Sequence, residues 1–203
     1  MRPNYCMDAP PTSIEVGGFA YTCETDFRVW LQVLEKIEDI GVNADDAQYT
    51  IDAIFDIQEL VFGGVLEDEN PVEVLRAVSE FSKGYPTAPT NSTESGAQLY
   101  SFNYDLNEII IAIRNQSGID LSYRRTEPFH WWEFLLEFHT LCGNHYILNL
   151  METRGYNGKD KEMLRRKNAC ALPERISNQE QAELDAWAEQ FVTGWEDIKE
   201  ENE

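Results

Sequence analysis

One short stretch limits the folds open to this chain more than any other feature. Between positions 129 and 138, Phe129, Trp131, Trp132, Phe134, Leu135, Leu136 and Phe138 are apolar. The pattern predicts a helix, opened by Thr126-Glu127-Pro128 and running to about Leu141. A helix with no clear polar face must be covered all round, so it belongs at the centre of a bundle. The rest of the chain then has to supply the elements that cover it. A chain of 203 residues is long enough, since at this size roughly 70% of the unfolded surface can be buried.

Those elements are legible on both sides of the central helix. Ile14 and Val16 alternate with polar neighbours, Gly17-Gly18 follows, and Phe19, Tyr21 and Cys23 alternate again. This predicts a β-hairpin, because a two-residue Gly-Gly loop supplies the positive φ angles of a type I′ turn. Thr25 then caps a helix with Phe27, Trp30, Leu31, Leu34 and Ile37 at 3- and 4-residue spacing, ended by Gly41. A second helix is expected from about Asp46 to Phe62, turning Ile51, Ile54, Phe55, Gln58 and Leu60 inward, with Gly63-Gly64 as its stop. Asn70 and Pro71 open a third, with Val74, Leu75, Val78 and Phe81 inside. After a polar stretch, Asn103 caps a helix bearing Leu106, Ile109, Ile110 and Ile113, closed by Gly118. Tyr146, Ile147, Leu150 and Met151 mark another, and Lys159 to Asn168 a basic one. Ser177-Asn178-Gln179-Glu180 is a capping box. It opens a long amphipathic helix reaching about Lys199, with Leu184, Trp187, Ala188, Phe191, Trp195 and Ile198 on one stripe.

The expected fold is therefore mainly α: a helical bundle with a small N-terminal β-hairpin and a long C-terminal amphipathic helix. Residues 1–81 hold the hairpin and first helices, and 82–98 form a polar linker or loop. Residues 99–175 form a helical core lobe, and 176–203 the C-terminal helix with an acidic tail.

Charge narrows the function. The net charge is −21 and the pI near 4.4. Nucleic-acid affinity rests on Lys and Arg displacing counterions, so a nucleic-acid partner is not expected. Adsorption to an anionic membrane is disfavoured for the same reason. The charge is uneven: residues 155–179 carry six basic and three acidic groups, whereas residues 180–203 carry one and nine. The longest apolar run, Ile109 to Ile113, is stopped by Arg114, far short of a span. No charged-then-apolar leader is evident, and Cys6, Cys23, Cys142 and Cys170 form no C-x-x-C pair. A soluble intracellular chain with reduced thiols is the expectation.

Few residues suggest chemistry. His130 beside Trp131 and Trp132 could serve as a general base, but no nucleophile motif accompanies it. His139-x-x-Cys142-x-x-His145 with Cys170 downstream has ligand types that zinc accepts. Cys142 precedes a Gly-Asn turn, however, and no second paired motif follows. Asp45-Asp46 and Glu67-Asp68-Glu69 lack the pattern of a calcium loop and read as a solvated face. No phosphate loop and no G-x-S-x-G elbow is present. No catalytic residue, cofactor or metal is expected.

Several strings in fixed order carry a resemblance. Thr25-Asp26-Phe27-Arg28-Val29-Trp30-Leu31 follows directly on the hairpin. Phe102-Asn103-Tyr104-Asp105, Gly118-Ile119-Asp120-Leu121, His130-Trp131-Trp132-Glu133-Phe134 and Ala171-Leu172-Pro173 come after it. This set resembles the siphophage "gene product fifteen" family over residues 12 to about 174. The resemblance implies a tail assembly chaperone in the host cytoplasm. It would coat the tape-measure protein before the tail tube polymerises and be absent from the mature virion. It supplies no catalytic residues. The partners implied are the tape-measure protein and other tail assembly proteins, with a homo-oligomer possible. A structural tail or connector component is the alternative, and an uncharacterised enzyme the second alternative. A chaperone for a chain with apolar stripes needs aromatic docking groups and a high net charge that keeps the complex dispersed. Trp30, Trp131, Trp132, Trp187, Phe191 and Trp195 are the partner-binding candidates. The C-terminal stripe either docks on the Lys159–Lys167 helix or mates with a second copy or the tape measure.

Overall fold

A computed structural model describes residues 8–85 and 98–186. Its first element is the hairpin, β1 (Ser13–Val16) and β2 (Phe19–Thr22), antiparallel with Val16 opposite Phe19 and Ile14 opposite Tyr21. Gly17 and Gly18 have φ of 57° and 89°, the left-handed pair that a type I′ turn requires. Ile14 and Val16 are buried, and β1 is the strand that packs on helix α3 (Pro71–Ser82). Phe19 departs from the expected apolar face: beside the turn, it is 67% exposed. Tyr21 ties the hairpin down by donating its hydroxyl to Glu69 at 2.7 Å.

Seven complete helices follow among the described residues. The caps of α2 (Ala47–Phe62) and α3 match the sequence: Asp46 accepts from Tyr49 N, and Asn70 from Val72 N with Pro71 at the first position. Gly63 and Gly118 close α2 and α4 (Phe102–Ser117) in the left-handed conformation. Three starts shift because a backbone or side-chain group there is engaged elsewhere. Asp26, not Thr25, caps α1 (Phe27–Val42), since the Thr25 carbonyl accepts from Trp131 N at 2.7 Å. Ser101 caps α4, and Asn103 reaches across to Glu35 at 3.0 Å. The central helix α5 is shorter than expected, Trp131–His139, because residues 129–131 run extended against residues 25–27. Helix α1 also runs past Gly41, and the Asn43 side chain satisfies the Asp39 carbonyl at its end. The chain continues through α6 (Tyr146–Gly155) and α7 (Lys161–Ala169). Residues 178–186 are helical, opened by the Ser177–Glu180 capping box. The rest of the long C-terminal helix lies outside the described residues, as does most of the 82–98 stretch.

On α2 the buried stripe is Ala53, Ile54, Ile57, Gln58 and Val61. Ile51 and Phe55, expected inside, are 42% and 36% exposed. They lie roughly a quarter turn or more from the centre of that stripe. Gln58 is buried, and its Oε1 accepts from Leu66 N at 2.8 Å.

Residues from both sides of the 82–98 stretch enter one hydrophobic cluster. Trp30 stacks on Phe81 at 4.6 Å and on Trp131 at 6.4 Å, and Phe27 stacks on Phe134 at 4.9 Å. A second tie is electrostatic. Arg154 on α6 and Asp105 on α4 are both buried and form a two-pronged ion pair at 2.6 and 3.0 Å. Arg154 also donates to the Leu99 and Cys170 carbonyls, and Asp105 accepts from Ser101 N. Such a pair adds little over an apolar one, but removing one member strands the other. Arg154→Ala is predicted to cost about 3–5 kcal/mol in urea denaturation. Adding Asp105→Leu to Arg154→Met should cost clearly less than the sum of the two single changes.

Candidate functional site: an acidic-rimmed groove beside the hairpin

The two motif strings that stand a hundred residues apart in sequence meet in space. Phe27 N donates to the Phe129 carbonyl at 2.9 Å, Trp131 N donates to Thr25, and Asp26 lies opposite His130 in an antiparallel bridge. His130 Nδ1 accepts from Trp132 N at 3.0 Å, which caps α5. Its Nε2 lies 2.9 Å from the Pro11 carbonyl and, as the protonated nitrogen, donates to it. Both ring nitrogens are thus committed to backbone, so His130 is placed as a cap and a tie to the hairpin. Asp26 accepts from Arg28 through both oxygens, at 2.8 and 2.6 Å, while Arg28 also reaches the Arg125 carbonyl at 3.1 Å. Burial pushes the Asp26 carboxyl up, but the hydrogen bonds and charge of Arg28 outweigh it and hold the group below its usual range.

The candidate tryptophans divide. Trp30 and Trp131 are sealed, at 0% and 1% exposed, and their indole N–H groups donate to the carbonyls of Glu24 and Ser82. As partner anchors they are therefore corrected: in this fold they have no surface to offer. Trp132 is also buried, at 8%, with its indole on the Phe81 carbonyl, but one edge of it lines a groove. Trp187, Phe191 and Trp195 lie outside the described residues.

That groove is open, about 640 Å³ in volume, and runs between β1 and α3. Phe81 and Trp132 form its apolar floor, and Glu15, Glu73, Glu80 and Arg76 rim it. Glu80 pairs with Lys83. Glu15, Glu73 and Arg76 have no partner among the described residues. Ser13 through Gly17 line it consecutively. Side chains alternate across a strand, so a run of consecutive residues means that the edge of β1 borders the groove. Among the described residues the sheet has two strands, so β1 pairs there on one side alone. Sequence reasoning missed Glu15, Glu73 and Glu80 because scattered carboxylates, one on β1 and two on α3, read as ordinary solvated surface.

The other candidate chemistry does not assemble. Among the described residues no three His, Cys, Asp or Glu side chains converge on a metal position. Cys142 is exposed, and burial lowers His139, whose Nε2 has no hydrogen-bond partner. Cys23 is a buried free thiol pushed up to about 11 by desolvation, the opposite of an activated nucleophile. A second cavity beside residues 171–175 has cations on its wall, but each is engaged: Arg154 with Asp105, Lys167 with the Tyr156 carbonyl, Arg175 with Glu38. Among the described residues no helix is long and apolar enough to cross a membrane.

A family model described as bacteriophage Gp15 protein matches residues 7–174. The chain belongs to the bacteriophage Gp15 family. No curated protein and no solved structure matches it. The Gp15 match begins just before the hairpin and ends at the last residues before Arg175, so it takes in the bridge, the aromatic core and the groove. The motif strings of this phage protein are structural: Phe27, Trp30, Trp131 and Phe134 build the core, and Asp26, Arg28 and His130 hold its seam.

Because the Asp26 carboxylate is held below its ordinary range, its stabilising contribution is present above about pH 4 and lost as pH falls through the folded value. Asp26→Asn keeps a capping side chain but loses the charged fork. It is predicted to cost about 1.5–3 kcal/mol at neutral pH. The gap between variant and parent should close on acidification, as urea denaturation across a pH series would show.

Proposed function

We propose that this Gp15-family chain is a non-enzymatic tail assembly chaperone that binds the tape-measure protein during tail assembly. It acts in the host cytoplasm and is left out of the mature virion. The groove beside β1 is the observation that supports this reading. A strand edge that is unpaired among the described residues offers backbone donors and acceptors to an extended polypeptide, the floor takes apolar side chains, and the rim carboxylates favour basic ones. A tape measure is a long chain with exposed apolar stripes, and a partner of high negative charge keeps such a complex dispersed. The committed backbone partners of His130 and the raised Cys23 thiol support the non-enzymatic part.

Co-expression of the chain with the phage's tape-measure protein is expected to yield a soluble complex. Glu73→Lys with Glu80→Lys should weaken that complex about tenfold or more by calorimetry, with melting temperature little changed. The association rate should fall as salt is raised, since exposed charges are screened within about 8 Å at physiological ionic strength. Tight binding by the charge-reversed variant would remove the groove from the account. Mass spectrometry of purified virions tests the structural alternative: a stoichiometric copy number would favour a tail or connector component over a chaperone.

A further inference from the structure

Helix α7 stands apart from the rest of this acidic molecule. It has no buried residue and packs chiefly on α6. Arg166 pairs with Glu162 at 3.4 Å, and Lys167 donates to the Tyr156 carbonyl at 2.8 Å. Lys161 and Arg165 have no hydrogen-bond or ion-pair partner among the described residues. With Leu164, which is 38% exposed, they sit at i, i+3 and i+4, so an apolar group flanked by two unpaired cations faces outward along one side.

The matching surface is on the same chain. Past α7 the backbone crosses to the end of α1, where Arg175 pairs with Glu38 at 2.7 Å and with Asp39. Asn178 N donates to the Asn43 side chain at 2.7 Å, and the Ser177–Glu180 box starts a helix there. Every residue from 178 to 186 is exposed, Leu184 by 52%. The arm therefore leaves the body anchored at its base with none of its faces packed. In sequence the stripe of Leu184 continues through Trp187, Ala188 and Phe191, with no Gly or Pro before Gly194. Residues 180–203 carry nine acidic groups and one basic.

We propose that the C-terminal arm of one chain docks on α7 of a second copy, its apolar stripe against Leu164 and its carboxylates against Lys161 and Arg165. Charge selects this pairing. Two acidic arms repel one another, whereas α7 lies in the one net-basic stretch of the chain. Continuity selects the second copy. The described part of the arm makes no hydrogen bond or ion pair with its own α7, and nothing in the sequence before Gly194 marks a reversal that would bring it back. Reciprocal exchange closes a two-fold dimer in which each chain gives one arm and receives one. This surface is separate from the groove, so either proposal can fail without the other.

Sedimentation of the full chain from micromolar to submillimolar concentration tests it. A dimer is expected at low salt, dissociating as salt rises. Lys161→Glu with Arg165→Glu should weaken the dimer about tenfold or more, and so should Glu183→Lys with Glu189→Lys. Mixing the two charge-reversed proteins should restore dimers, because each arm then meets an α7 of opposite sign. A full chain that stays monomeric throughout, or a mixture that stays monomeric, overturns the proposal. So does an α7-reversed protein that dimerises normally while losing affinity for duplex DNA, which would assign α7 to a polyanion instead.

Discussion

Two backbone hydrogen bonds, from Phe27 N to Phe129 and from Trp131 N to Thr25, hold the start of α1 against the start of α5. What depends on them is alignment more than energy. Each bond contributes about 1 kcal/mol net, whereas truncating a buried Phe or Trp costs about 3–5 kcal/mol. The aromatic stack of Phe27, Trp30, Trp131 and Phe134 supplies more of the stability, but those rings meet only if the two helices begin side by side. The bridge fixes that start. His130 then passes the same constraint to the hairpin through Pro11, and Trp131 and Trp132 pass it to the end of α3 through the Ser82 and Phe81 carbonyls.

The groove follows from this arrangement. Its floor, Phe81 and Trp132, is where α3 and α5 touch, and its wall is β1, which α3 carries. The seam thus sets a strand edge, unpaired among the described residues, beside the face of α3 that carries Glu73 and Glu80. The arrangement suits recognition of a polypeptide by backbone and charge. It also accounts for the motif strings rich in Trp, Phe, Asp and His: Phe27, Trp30, Trp131 and Phe134 build the core, and Asp26 and His130 fasten its seam.

How far the sequence reveals this depends on the range of each interaction. The hairpin, the caps at Asp46 and Asn70, the stops at Gly63 and Gly118 and the Ser177–Glu180 box are local, and each is readable within a few residues. Thr25, Asn103 and the expected early start of α5 mislead because a distant partner claims the backbone or side chain there. Arg154 gives no signal in sequence, since a lone arginine on a helix becomes informative only when Asp105 is seen beside it. Hydrophobic type does not separate Trp30 and Trp131, sealed in the core, from Ile51 and Phe55, left at the surface. The groove's rim comes from β1 and α3 together, so its acidic character belongs to neither stretch alone.

Native-state hydrogen exchange at the amides of Phe27 and Trp131 tests the central claim most directly. If the bridge is the seam of the molecule, both amides exchange only through global unfolding. Their opening free energies then equal the stability from urea denaturation and fall together with it in a Trp30→Phe variant. Exchange of either amide through a smaller, local opening, with the core amides of α4 still protected, would contradict the account.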